Sequence, residues 1–433
     1  MSIFNTFLDK LILNYKESIN LIGLIDLLTN AKGQSQTSVE NQELAISIYD
    51  DLIKYLNLNI SQNYDYRSNI YQYLGITRKG KLSTTAAKQV IKMTINIGKY
   101  REYLYIYTNV GWKKLESHEL STIIEQLLTV LLVDSTYSQD MFEKIVKALE
   151  SDVEIRNLIP KNRYIGCKSH MFDLKKYVVV PNNISIFPSV NLDLDLQSND
   201  KISSYIPHKF NNFISELANF NDDLKRFIIR HFSVMLTPNE KLRRVLILYG
   251  KAQNGKSVFL KLLNSFFYES DIVSKSLSNL DGRFDMSSLI GKQLMSSNEI
   301  GKTYINEDNC NKLKMITENE TVNIDIKYKS QIDFKPNLKM IFNTNTRLSF
   351  PIGHGEPLKR RIVIIPCEFK VENINVHLVQ ELINTKKDIF LYLMYEFKQL
   401  MDGKVEVIEN DKVNQLLSDW LNINIKTIRN SKV

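Results

Sequence analysis

The sequence predicts an α/β fold: a mainly parallel sheet around a phosphate-binding loop, preceded by a largely helical N-terminal region and followed by a short helical segment. Three observations predict it. The apolar run Val245-Leu246-Ile247-Leu248-Tyr249 leads into Gly250-Lys251-Ala252-Gln253-Asn254-Gly255-Lys256-Ser257, and Val258 to Leu263 then opens a helix. From there to about residue 370, short apolar runs alternate with helical patterns, as in strands joined by crossover helices. Before residue 150, apolar residues recur at helical spacing over 41–56, 117–133 and 139–149.

The N-terminal region also contains a short strand-and-turn pattern, Tyr103 to Tyr107 followed by Gly111 and Trp112. Residues 32–41 are polar and rich in Gln and Ser, and read as a loop. Residues 160–210 change character. Asp173 to Val180 is strand-like, and Pro181, Pro188 and Pro207 punctuate loops. Val190 to Leu196 alternates and carries Asp193 and Asp195. Such a pair can hold metal ions, but no His or third carboxylate motif supports it, so it is expected to be a connector with its polar residues outward. Helical patterns return over 210–236, 384–401 and 412–425. The expected division is 1–150 as a helical accessory region, 151–210 as a connector or collar, 211–385 as the core and 386–433 as a C-terminal helical segment.

A chain of 433 residues is long enough for two or three domains. Its hydrophobic fraction of 43% and charged fraction of 24% suit a packed core and argue against long disorder. The formal net charge of +8 favours a polyanionic partner, and nucleic acid fits best beside a phosphate-binding loop. The three cysteines, Cys167, Cys310 and Cys367, lack zinc-ribbon spacing, and the six histidines form no metal-binding pattern. The first residues lack a secretory signal, and the longest apolar run, 123–133, is interrupted by Glu125 and is shorter than the roughly 20 residues a bilayer requires. The expectation is a cytoplasmic protein with no membrane partner.

The loop chemistry is specific. Gly250 and Gly255 let the backbone curl so that its N–H groups, across Gln253, Asn254 and Val258, point at phosphate oxygens. Lys256 reaches the β- and γ-phosphates, and the Ser257 hydroxyl ligates Mg²⁺. The following helix adds partial positive charge at its N-terminus. The implied ligands are ATP and Mg²⁺. Such a loop needs a carboxylate on a neighbouring strand. Lys292 to Glu299 offers one: Glu299 polarises the attacking water, and Asn298 orders the metal's shell. Leu338 to Asn345 is an apolar strand ending in Asn345, which senses the γ-phosphate. Arg360 and Arg361 precede the strand Ile362 to Pro366 and suit an arginine finger supplied to the next subunit. Between Glu299 and Asn345, residues 322–334 alternate on both sides of Lys327-Tyr328-Lys329, as two strands of a hairpin with a basic, aromatic tip that can hold a DNA strand.

These elements, in this order, resemble the superfamily III helicases, a group of AAA+ ATPases, and within them the phage and poxvirus primase-associated type. The replication initiator helicases of staphylococcal pathogenicity islands and related mobile elements are similar. The resemblance spans about residues 100–420 and takes in Tyr107 to Lys113, Lys168 to Leu174, Arg283 with Phe284, Leu289 to Lys292, Leu313 to Thr317 and Arg361 to Phe369. It implies an AAA+ core with motif A on Gly250 to Ser257, motif B on Asn298 and Glu299, sensor 1 on Asn345, and the finger on Arg361 with Arg360 as the alternative. It implies metal contacts from Ser257, Glu299 and Asn298, and DNA contacts from Lys327, Tyr328 and Lys329. Residue 298 is Asn where several members carry a second acid, so metal binding leans on Ser257 and water. The implied activity is ATP-driven unwinding by a homo-oligomer, expected to be a hexamer, moving 3′ to 5′ on single-stranded or forked DNA, with a primase as a further partner. Two other classes fit the loop alone: a small-molecule phosphotransferase, and an ATP-gated origin-binding or loader protein that does not unwind.

Overall fold

In the computed structural model, the described residues are 96–100, 103–108, 111–115, 139–152, 155–238, 244–279, 285–300, 303–318, 320–324, 332–351, 353–403 and 410–421. The chain divides into two compact units, 1–159 and 160–433.

In the first unit, β1 (Ile97–Tyr100), β2 (Tyr103–Thr108), β3 (Gly111–Lys114) and β4 (Arg156–Asn157) form a sheet in the order β3-β2-β1-β4. The helix α1 (Gln139–Glu150) is the third expected N-terminal helix; 41–56 and 117–133 lie outside the described residues. The β2–β3 hairpin carries the tyrosine run read from the sequence, and Tyr107 meets Trp112 across it edge to face at 5.4 Å.

The second unit opens with β5 (Pro160–Gly166), β6 (His170–Asp173), β7 (Val178–Pro181) and β8 (Phe187–Asn191), in the order β7-β6-β5-β8. The segment expected as one strand over 173–180 is a hairpin. Asp173 caps the turn by accepting from the backbone N–H groups of Lys175 (2.8 Å) and Lys176 (3.3 Å), and Tyr177 takes φ +56°. Strand pairing stops at Asn191, yet alternation continues: Leu192, Leu194 and Leu196 are buried. Asp193 pairs with Lys168 at 2.6 Å and with Lys386 at 3.7 Å, and Asp195 accepts from the Ser169 hydroxyl. Both carboxylates are thus engaged, by Lys168 and Ser169 of the connector and by Lys386 of the C-terminal segment. Among the described residues no group of three or more His, Cys, Asp or Glu side chains is arranged to hold a metal.

Two helices follow, α2 (His208–Leu217) and α3 (Asp222–Met235), the second capped by Asn221 accepting from Leu224 N–H at 2.8 Å. The central sheet comes next, built from β9 (Val245–Tyr249), β10 (Ile272–Val273), β11 (Leu294–Ser297), β14 (Lys339–Thr344) and β15 (Ile362–Pro366), in the order β10-β11-β14-β9-β15. Every pairing in it is parallel. Parallel strands covered on both faces must be apolar throughout, which is why Val245 to Leu248 and Ile362 to Ile365 are continuous hydrophobic runs. The crossovers are α4 (Lys256–Asn264), α5 (Glu307–Glu318) and α6 (Gly355–Lys359). Between α5 and β14 lies the antiparallel pair β12 (Val322–Ile324) and β13 (Ile332–Phe334), in register Val322 to Phe334.

Three helices complete the unit: α7 (Leu378–Asn384), α8 (Lys386–Met401) and α9 (Asp411–Trp420). The helical pattern expected over 384–401 is α8, and α7 precedes it as a separate helix ending at Asn384. One hydrophobic core joins the small sheet, α2, α3, α8 and the central sheet. Phe232 sits at its centre, 4.9 Å from Phe259 and 5.8 Å from Phe266. No described helix is long and apolar enough to cross a membrane.

His231 is the core's one fully buried titratable group on α3. Its ring bonds the Phe227 carbonyl at 3.0 Å. Burial pushes its pKa from 6.5 down to about 3, so the folded chain keeps it neutral while the unfolded chain protonates it. Its contribution is full above pH 6.5 and declines as pH falls towards 3. Urea midpoints measured from pH 8 to pH 4 are expected to fall below pH 6.5, and His231→Gln is expected to flatten that fall. An identical pH slope in the variant would contradict it.

Candidate functional site

Because the central strands are parallel, their carboxyl ends share one edge, where ligands of open α/β sheets bind. The chain leaves β9 at Gly250, β11 at Asn298, β14 at Asn345 and β15 at Cys367. Four segments read separately from the sequence thus emerge side by side.

The loop after β9 is built around two glycines. A Cβ at Gly250 would lie 2.0 Å from the Cys367 carbonyl oxygen and 2.4 Å from Asn254 Nδ2, so no other residue fits there without a shift. Gly255 caps α4 at φ +82° and lies against the Phe213 ring. Gln253 also takes a left-handed conformation, φ +62°, and its carbonyl accepts from Val371 N–H at 2.9 Å. Lys256 is buried, and its ammonium donates to Gly250 O (2.7 Å), Lys251 O (2.5 Å) and Asn254 Oδ1 (2.7 Å). Asn254 is buried as well, and its Nδ2 donates to Cys367 O at 2.5 Å. Burial lowers the Lys256 pKa below the ordinary lysine value. A partly desolvated ammonium held by neutral oxygens gains from any anion that enters the loop.

A cavity of about 750 Å³ opens over this loop, within the size range of small-molecule sites. Ala252 to Val258 line it, together with Asn298, Glu299, Asn343 and Asn345. Ser257 is exposed to it at the first turn of α4. Glu299 is exposed on a turn that Ser297 fixes: the Ser297 hydroxyl donates to Glu299 O (2.7 Å) and accepts from Glu299 N–H (3.3 Å). Asn345 sits in a second such turn, where Thr344 Oγ1 accepts from Thr346 N–H at 3.1 Å. The strand of Glu299 is not adjacent to β9, as the sequence reading expected of a neighbouring strand. β14 lies between them, so Asn345 leaves the sheet between the loop and the carboxylate.

The opposite wall was not visible in the sequence. His208, Lys209, Asn212, Phe213 and Glu216 on α2 face the cavity, as do Phe369, Val371 and Asn373 to Asn375 after β15. Lys209 pairs with Glu381 at 2.9 Å and lowers its pKa, and Asn375 Nδ2 donates to the same carboxylate at 3.3 Å. Nothing in the local pattern of α2 marks it as a site; it reads only as an amphipathic helix. Asn343 was missed too, though an Asn inside the apolar run 339–344 is a signal. It is 2% exposed, its Nδ2 donates to Asn298 Oδ1 at 3.1 Å, and its Oδ1 has no partner. Leaving such an oxygen unpaired costs about 1–3 kcal/mol.

The two arginines stand elsewhere. β15 runs beside β9 from Ile362 opposite Val245 to Pro366 opposite Tyr249. Arg360 and Arg361 are therefore at the far end of the sheet from the loop, about 17 Å away at roughly 3.3 Å per residue. Neither lines the cavity. Arg361 is part-buried, ion-paired with Glu318 on α5 and bonded to Pro357 O, and burial lowers its pKa. Arg360 is exposed. Lys327, Tyr328 and Lys329 lie outside the described residues; the flanking strands β12 and β13 pair as expected.

Comparison with known proteins gives three findings. Residues 248–361, from the end of β9 to Arg361, match a family model described as a family of unknown function (DUF5906). No curated protein matches the chain. Among solved structures, the chain is similar to two apo forms of the NrS-1 C-terminal region. One is 17% identical with a TM-score of 0.48, covering 77% of this chain and 73% of that one. The other is 16% identical with a TM-score of 0.49, covering 77% and 74%. A JCV helicase bound to a thiazolopyridinyl acetamide is 14% identical with a TM-score of 0.25, covering 51% and 63%.

Replacing Gly250 tests the loop's packing directly. Gly250→Ala is expected to destabilise the second unit by about 1–3 kcal/mol, the usual cost of overpacking, because Cys367 O and Asn254 must both move. A urea midpoint equal to that of the parent chain would contradict the close approach.

Proposed function

We propose that the chain is a nucleoside triphosphatase that drives the movement of a DNA strand, a helicase of the AAA+ superfamily III kind. The observation that carries the reading is the shared cavity: a phosphate-binding loop with its lysine, a carboxylate at Glu299 and an amide at Asn345 open onto one space. That is the minimum set for phosphoryl transfer to water. The loop's N–H groups and Lys256 hold the β- and γ-phosphates. Glu299 takes the proton of the attacking water as its oxygen bonds to the γ-phosphorus. The bond to the β–γ bridging oxygen breaks, leaving nucleoside diphosphate and phosphate. Asn345 holds the γ-phosphate in line. The residues also suit Mg²⁺, through the Ser257 hydroxyl directly and through Asn298 and Glu299 by way of water; when bound, the metal neutralises charge on the phosphates.

The distance of Arg360 and Arg361 from their own chain's cavity supports a finger acting between subunits. A ring or filament of like subunits follows, and a hexamer is the form we favour. The net charge of +8 and the hairpin β12–β13, joined to the sheet through β14, support DNA as the partner, with Lys327, Tyr328 and Lys329 at the strand. The same cavity also serves an ATP-gated origin-binding or loader protein; strand displacement on a forked duplex separates the two. A primase partner belongs with the helicase reading.

Lys256→Ala is expected to abolish triphosphate hydrolysis. Glu299→Gln is expected to bind nucleotide with near-parental affinity while turning over at least about a hundredfold more slowly, the lower end of the range for a lost general base. Fluorescent-nucleotide titration and phosphate release measure the two quantities. Turnover in folded Lys256→Ala, or lost binding in Glu299→Gln, would contradict these roles. Arg360→Ala and Arg361→Ala are each to be mixed with Lys256→Ala. A finger acting between subunits restores part of the hydrolysis at interfaces that pair an intact Lys256 with an intact arginine. A mixture no more active than its components would contradict a finger acting between subunits.

A further inference from the structure

We propose that Asn343 is a positioning residue of the hydrolytic step: its carboxamide fixes Asn298 through Nδ2 and offers Oδ1 as the acceptor for the water that Glu299 activates. The inference rests on the triphosphatase reading and adds a residue to it. Three observations carry it. Asn343 is the polar side chain at a β14 position whose neighbours Ile341 and Phe342 are fully buried, and it is itself 2% exposed. Its Nδ2 bonds Asn298, the residue beside Glu299, at 3.1 Å, which ties β14 to the end of β11. Its Oδ1 is buried without a partner, although the residue lines the cavity over the phosphate-binding loop.

A buried carbonyl oxygen left without a donor is unfavourable, and buried polar groups of folded proteins are nearly always satisfied. The nearby cation is already committed: Lys256 directs its ammonium at three loop oxygens. A water molecule in a polar, roomy cavity is the donor of the right size, since it needs two to four polar partners and the cavity supplies them. Glu299 follows β11 and Asn343 lies near the end of the adjacent β14, and both line the cavity. In the proposed arrangement one water lies between them. Glu299 accepts one proton of that water during attack, and Asn343 Oδ1 accepts the other hydrogen as a bond that is kept. The water is then oriented as well as activated.

The test uses the full chain and three substitutions. Asn343→Leu and Asn343→Ala remove the oxygen; Asn343→Asp keeps it, and the exposed Asn298 amide can turn its NH₂ towards the new carboxylate. Steady-state hydrolysis, fluorescent-nucleotide affinity and melting midpoint are measured for each, with Glu299→Gln alongside. Losing one oriented hydrogen bond to the reacting water is expected to lower kcat about tenfold or more, with KM and affinity within about threefold. Asn343→Asp is expected to retain kcat within about threefold of the parent chain. A merely structural role would move the melting midpoint and leave this split between kcat and KM absent. A folded oxygen-removing variant with parental kcat, or an Asn343→Asp variant as slow as Asn343→Leu, overturns the proposal. A parent chain that does not hydrolyse triphosphate, or a Glu299→Gln variant that hydrolyses it normally, overturns the underlying reading instead.

Discussion

Parallel pairing on both sides of β9 is the constraint on which the rest of the structure depends. β9 bonds to β14 from Val245 to Tyr249 on one side and to β15 over the same residues on the other. The strand is apolar from Val245 to Leu248, and both neighbours run in its direction. The loops that leave the strands therefore gather at one edge without any contact among them being needed to bring them together. The composition of this edge is a by-product of topology: the chain leaves the strands at Gly250, Asn298, Asn345 and Cys367, side by side.

Within that edge, Asn254 links the parts. It accepts from Lys256 and donates to Cys367 O, so the loop lysine and the end of β15 are joined through one buried amide. The other end of β15 carries Arg360 and Arg361, the second tied to Glu318 on α5, and α5 leads into β12. A strand of five residues thus runs between the loop after β9 and the helix that precedes the hairpin. It is paired with β9 along its whole length. In the proposed assembly this connects the nucleotide of one subunit with the arginines offered to the next.

The sequence made the strands and the loop legible because each is strongly determined locally. Val245 to Tyr249, Leu294 to Ser297, Lys339 to Thr344 and Ile362 to Pro366 fall on the apolar runs that predicted them. Buried parallel strands lack a solvated face, so few polar residues interrupt the pattern. Strand order was not legible, since nothing local says that β14 enters between β9 and β11. The turn between β6 and β7 was hidden inside the strand-like reading of 173–180 because Tyr177 to Val180 are strand-forming residues, while the turn depends on the Asp173 carboxylate folding back. The cavity wall from α2 and residues 369–375 was hidden for a different reason. Its members are distant in sequence and each belongs to an ordinary amphipathic or loop pattern, so only the fold assembles them. Asn343 shows the intermediate case: a polar residue in an apolar run is visible, but its partner Asn298 becomes visible only when β11 and β14 pair.

The central claim is that the cavity over Gly250 to Val258 binds the phosphate chain of a nucleotide. Calorimetric titration of the full chain with a non-hydrolysable ATP analogue and with AMP, each with and without Mg²⁺, tests it most directly. The account predicts that the triphosphate analogue binds at least about a hundredfold more tightly than AMP, a difference of about 2.7 kcal/mol, and that Mg²⁺ strengthens only the triphosphate. Equal affinities for the two nucleotides, or affinities indifferent to Mg²⁺, would contradict it.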